Sequence, residues 1–180
     1  MGLFDRFKKT AKSEPEVPYP QIHEQLLEMD KNTSKIVSNL DEPTVTMDWI
    51  KKQEQIAPTH WSYKYISNPV EMNYRQQALL KSMTGQYDEV IKICRAGLEK
   101  FPDSPYLLYM VGRSFLDIQE FSKSIEILDY VVSKYPDFAD CYIERGVCKQ
   151  NLGDIDGAKK DFLIARKIEP SISLPSFVSE

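Results

Sequence analysis

Lys100-Phe101-Pro102-Asp103-Ser104-Pro105, Lys134-Tyr135-Pro136-Asp137-Phe138-Ala139 and Ile168-Glu169-Pro170-Ser171 decide how this chain is read, because Pro102, Pro136 and Pro170 stand 34 residues apart each time. A fixed period of that length belongs to few architectures, all built by stacking one small supersecondary unit. With each proline counted as position 32, three units begin at Glu71, Pro105 and Ala139.

Working outward from the prolines, the units align in register. Position 8 reads Ala78, Gly112, Gly146; position 20 reads Val90, Ser124, Ala158; position 27 reads Gly97, Val131, Ala165. Mostly small residues recur there, as expected where two helices of a hairpin cross closely. Large residues fall at position 4 (Tyr74, Leu108, Tyr142), and Cys94, Leu128 and Phe162 share position 24. The turns inside the units read Gly85-Gln86-Tyr87-Asp88, Gln119-Glu120-Phe121-Ser122 and Gly153-Asp154-Ile155-Asp156. Asp88, Ser122 and Asp156 are expected to cap the second helices, each preceded by an apolar staple residue. Ser104 before Pro105 predicts a capped first helix, and Asp137 is expected to cap the next one.

These features together resemble the tetratricopeptide-repeat family over residues 71–170, as three repeats. Gln77, Val111 and Arg145 depart from the usual leucine-like residue at position 7, and Gln119 replaces the turn glycine of the middle unit. The fold class expected is all-α, an α-α superhelical solenoid with an N-terminal helical extension.

Four regions follow: a flexible basic N-terminus and Pro-rich linker at 1–20, a helical extension at 21–68, the repeat domain at 69–170 and a tail at 171–180. Leu3, Phe4 and Phe7 interleave with Arg6, Lys8, Lys9 and Lys12, a pattern for an amphipathic helix that could touch an anionic membrane or a partner. A frayed, solubilising terminus is the preferred reading. Ile22, Leu26, Met29, Ile36 and Leu40 predict a long helix from Gln21 that ends near Asp41-Glu42-Pro43. A short helix is expected from about Thr46 to Ile56 with Trp49, Ile50 and Ile56 buried. Pro43 would fall inside a helix of any fourth repeat, so the extension is expected to be a helical cap on or near the first hairpin. The aromatics of Trp61-Ser62-Tyr63-Lys64-Tyr65-Ile66 fit an extended segment or a helical lead into Glu71. No full capping helix follows Pro170, so the tail is expected to cover the last hairpin, or that end to self-associate into a homo-oligomer.

Bulk properties exclude several function classes. The 180 residues are 42% hydrophobic and 28% charged, ordinary for a soluble globular protein. A net charge of −4 argues against nucleic acid as a partner, since phosphate binding needs clustered Lys and Arg. No apolar run approaches a membrane span. Three cysteines without scaffold spacing and no secretory leader pattern make the cytoplasm the expected location.

Catalytic chemistry finds little to work with. His23 and His60 lie in separate segments outside any metal-binding pattern, and no phosphate loop, dinucleotide turn or nucleophile elbow is present. Cys94, Cys141 and Cys148 read as small buried side chains. No enzyme, cofactor or metal site is expected.

The resemblance implies that first-helix positions 2, 5, 9 and 12 line a concave face that grips protein or peptide. Those positions hold Met72, Arg75, Leu79 and Ser82, then Tyr106, Tyr109, Arg113 and Leu116, then Asp140, Ile143, Val147 and Gln150. Tyr and Arg dominate interface energetics, so this set points to an adaptor that binds a partner segment. The competing reading has the chain's own N-terminal helices or tail in that groove. Leu79, Asp140 and Glu144 argue against the Lys/Asn carboxylate clamp that some family members use on chaperone C-termini, because acidic groups there repel an acidic peptide end. A dedicated chaperone or immunity protein for one client and a membrane-tethered assembly factor are the alternative functions.

Overall fold

The structure is a computed structural model that describes residues 40–43, 45–56 and 65–178. The expected helix from Gln21, the basic N-terminus and the segment around Trp61 lie outside them. Among the described residues there are seven α-helices, one 3₁₀ turn and no strand. They are α1 (Met47–Ile56), α2 (Pro69–Met83), α3 (Tyr87–Lys100), α4 (Pro105–Asp117), α5 (Phe121–Lys134), α6 (Ala139–Asn151), α7 (Ile155–Ile168) and the 3₁₀ turn η1 (Ser176–Val178).

Helices α2/α3, α4/α5 and α6/α7 form three hairpins, and each hairpin stacks on the next. The second helices start at Tyr87, Phe121 and Ile155, keeping the 34-residue period of the sequence. First helices also pack on one another, α2 on α4 and α4 on α6, and so form one layer of the stack. The result is an all-α superhelical arrangement.

Crossing contacts explain the small positions. A Cβ built on Gly112 would lie 3.0 Å from the Leu128 side chain, and one on Gly146 would lie 3.1 Å from the Phe162 ring. Position 8 is therefore small because position 24 presses on it. Ala78, Val90, Ser124, Val131, Ala158 and Ala165 are all fully buried, as are Tyr74, Cys94 and Leu128.

Each first helix ends in the same way. Gly85, Gln119 and Gly153 take φ of +71°, +64° and +84°, and the following residue donates its N–H back to Lys81, Phe115 or Lys149. This left-handed closure favours glycine, so Gln119 holds a strained backbone in the middle hairpin.

The closure also corrects the expected caps. Helices α3, α5 and α7 begin directly after it, with Gln86, Glu120 and Asp154 as the cap residues. Asp88, Ser122 and Asp156 already lie inside the helices, and Tyr87, Phe121 and Ile155 are first helical residues. Only Asp154 makes a side-chain cap among these three, accepting from Gly157 N at 2.9 Å. Ser104 does cap α4, accepting from Leu107 N at 3.4 Å. The cap residue of α6 is Phe138 and not the expected Asp137, whose carboxylate accepts from the Tyr65 hydroxyl. α2 begins at Pro69, two residues before the expected Glu71, because Asn68 caps it and Pro69 is suited to a first turn.

On the N-terminal side, Asn73 Nδ2 donates to the Leu40 carbonyl at 2.9 Å and Tyr74 donates to Asp41 at 2.9 Å. Asp41 also pairs with Lys100, so residues 40–42 lie against the first hairpin. In α1, Ile50 is buried as expected, whereas Trp49 is exposed on the neighbouring helix face. At the other end, the tail turns back on α7: Val178 joins Ala158 and Phe162, and the Phe177 ring lies 5.9 Å from that of Phe162.

Candidate protein-binding face

The residues at positions 2, 5, 9 and 12 fall on the helix layer formed by α2, α4 and α6, and exposure divides them in two. Toward the helix starts the face is closed: Arg75 is 2%, Tyr109 3% and Tyr106 5% exposed, with Met72 equally buried. Toward the helix ends it is open: Leu79 is 46% exposed and the Arg113 side chain 45%.

The closed half is an aromatic ladder with one buried cation. The Arg75 guanidinium sits 5.1 Å from the Tyr106 ring centroid, Tyr106 lies 6.3 Å from Tyr109, and Tyr109 lies 5.1 Å from Phe138. Arg75 is held by Glu71, one turn earlier, through Nε at 2.9 Å and a second contact from Nη2. Glu71 in turn accepts from Ser104 Oγ at 2.5 Å. A buried charge needs such compensation, and the helix spacing of four residues supplies it. Burial pushes the Tyr106 hydroxyl up to about 12 and raises that of Tyr109 as well, so both stay protonated and polar without charge.

The open half is a depression of roughly 180 Å³ lined by Leu79, Ser82, Met83, Tyr87, Met110, Arg113 and Asp117. Arg113 links two hairpins there. Its Nη1 donates to the Tyr109 hydroxyl at 3.1 Å and meets Glu144 of α6 at 3.3 Å, while Asp117 stands 3.9 Å away. Burial raises the Glu144 carboxyl, and the Arg113 charge opposes that rise. Asp140 and Leu116 are half-buried and Gln150 is exposed. Ile143 and Val147 pack into the cluster with Phe162 and Val178.

The four positions lie on the first helices of the hairpins and differ widely in accessibility. Met83, Tyr87, Met110 and Asp117 escaped the sequence reading because they stand outside the four positions. The adjacent pair Leu79-Leu80 followed by Met83 near a helix end was the available signal, since all three are exposed.

Other chemistry has little footing among the described residues. Cys94, Cys141 and Cys148 are buried, and burial raises all three thiols, which keeps them from acting as nucleophiles. No group of three His, Cys, Asp or Glu could hold a metal ion, and no helix is long and apolar enough to cross a membrane.

Comparisons agree with this geometry. A family model described as Tetratricopeptide repeat matches residues 106–137, which run from α4 through α5. No curated protein sequence matches the chain. Among solved structures, the first such domain of the human RPAP3 protein is 20% identical, with a TM-score of 0.54 over 57% of this chain and 80% of that one. The first domain of Spaghetti (RPAP3), bound to the HSP90 peptide SRMEEVD, is likewise 20% identical with a TM-score of 0.54, over 57% of this chain and 81% of that one. PcrH in complex with the chaperone binding region of PopB is 16% identical, with a TM-score of 0.54 over 64% of this chain and 93% of that one. At these identities the likeness concerns the fold. With its middle hairpin matched to that repeat and its stack shared with these solved structures, the chain has the fold of tetratricopeptide-repeat domains.

Proposed function

We propose that the protein is a non-enzymatic interaction scaffold that takes a peptide segment of another protein on the α2/α4/α6 face. The observation that carries this reading is the half-open surface itself. Exposed Leu79 and Met83, the depression beneath them and the half-exposed Arg113 form an apolar patch with one cationic anchor on a rigid helical layer. Apolar and Arg anchors in a pocket are what concentrate binding energy in protein interfaces. Two solved relatives hold segments of other proteins, an HSP90 peptide in one and a PopB region in the other, which fits a peptide partner for this fold.

The charge pattern favours a segment without an acidic end. Arg113 is already shared among Tyr109, Glu144 and Asp117, and Asp140 lies on the same face. An incoming carboxylate meets more negative than positive charge. A dedicated chaperone for a single client is the second reading, favoured by the 93% coverage of the PcrH chain. Recovery of one stoichiometric client supports it, and many weak partners count against it.

The test is affinity capture by the full-length protein, wild type against Leu79→Asp/Met83→Asp, with Lys160→Glu on α7 as a control. Loss of the captured protein with the double variant and retention with the control is the expected result. Equal capture by all three defeats the assignment of this face.

A further inference from the structure

Tyr65 makes a contact that neither the repeat pattern nor the proposed function uses. It precedes the first hairpin, yet its hydroxyl donates to Asp137 Oδ1 at 2.6 Å, ahead of the third. Its ring lies 4.9 Å from that of Tyr135, and the Tyr135 hydroxyl donates to the Asp103 carbonyl, ahead of the second hairpin, at 2.5 Å. The loops leading into α2, α4 and α6 are thereby tied in series along one edge of the binding face.

The short connection from Tyr65 to Asn68 is fixed at its other end as well. Ser67 N donates to Glu71 Oε2 at 3.3 Å, and Asn68 Oδ1 accepts from Val70 N at 2.9 Å. Tyr65 itself has φ of +60°, a left-handed backbone that a bulky residue rarely adopts. Such a conformation persists only where surrounding contacts hold it, and here those contacts belong to another hairpin. Strain at the foot of a side-chain clasp gives the clasp a tendency to open.

The position of the clasp matches the division of the face. Arg75, Tyr106 and Tyr109 are closed off at the helix starts, the end that the Tyr65 connection follows, while Leu79 and Arg113 stay open at the other end. We propose that the Tyr65 contact with Asp137 and Tyr135 is a latch, and that the aromatic half of the face becomes available to a partner only when the latch opens. This deepens the scaffold reading and rests on it for the role of the face, but the latch itself is measurable without any partner.

The experiment compares full-length wild type, Tyr65→Phe, Tyr65→Ala and Asp137→Asn. Amide exchange is followed at residues 66–70 and 135–139, together with tetranitromethane nitration of Tyr106 and Tyr109 read by mass spectrometry. Loss of the hydroxyl contact in Tyr65→Phe or Asp137→Asn is expected to speed exchange at both sites about tenfold, the size set by one hydrogen bond to a charged group. Tyr65→Ala is expected to add faster nitration of both tyrosines, with exchange in α5 unchanged. Unaltered exchange and nitration in Tyr65→Ala and Asp137→Asn overturn the latch. Open tyrosines with no gain in partner capture keep the latch and sink the scaffold reading instead.

Discussion

Arg145 of α6 holds Asp161 of α7 through two parallel hydrogen bonds, Nε to Oδ2 at 2.9 Å and Nη2 to Oδ1 at 2.5 Å. Arg145 Nη1 also reaches Asp129 of α5 at 2.6 Å, and Lys149 pairs with Asp161 at 2.8 Å. A charged residue at a position usually leucine-like therefore fastens the third hairpin together and joins it to the second. Asp161 is buried, so its removal leaves two cations facing a desolvated site. Asp161→Ala is expected to cost about 2–4 kcal/mol in urea unfolding. Arg145→Leu should cost less, since Lys149 still faces the carboxylate. Equal effects from the two variants would show that the cluster does not work this way.

Gln119 offers the opposite opportunity. Its φ of +64° is the conformation that Gly85 and Gly153 supply in the flanking hairpins. Gln119→Gly relieves the Cβ clash at the cost of added freedom in the unfolded chain. A net gain of about 0.5–1 kcal/mol is expected, visible as a higher thermal midpoint, and a lower midpoint would rule out strain at this turn.

Alkali should loosen the fold through its buried phenols. Burial pushes Tyr106 up to about 12 from 10, so the folded state keeps a proton that the unfolded chain gives up sooner. The contribution is complete below pH 10 and disappears as pH rises toward 12. Denaturant midpoints across that window should fall in wild type and fall less in Tyr106→Phe. Parallel curves for the two proteins would refute the assignment.

The tail covers apolar surface of the last hairpin. Val178 is buried against Ala158 and Phe162, with Phe177 edge-on to Phe162. Phe177→Ser/Val178→Ser is expected to lose about 2 kcal/mol and to bare an apolar solenoid end. Sedimentation should then show reversible association that wild type lacks at the same concentration; a strictly monomeric variant would mean that the end is covered otherwise.

Much of this architecture was legible because its signals are local and periodic. Pro102, Pro136 and Pro170 set the units, and Gly112 and Gly146 marked where Leu128 and Phe162 press. Caps were misplaced for a physical reason: Asp88 and Ser122 have suitable side chains, but the left-handed closure at Gly85 and Gln119 starts the next helix earlier. The residues at positions 2, 5, 9 and 12 were legible from the repeat register, whereas their division into exposed and buried ones was not. Long-range contacts such as Tyr65 with Asp137, which are 72 residues apart, leave no trace in any short window.

Ser104 carries a consequence for how the array holds together. Its hydroxyl oxygen caps α4 while its proton goes to Glu71, so the start of the middle hairpin is oriented by a carboxylate from its predecessor. A fragment cut just before Pro102 would keep every residue of the last two hairpins and still lose the group that aims this cap. The hairpins are thus not interchangeable beads: the contact is shared, so melting either of the first two should weaken the other.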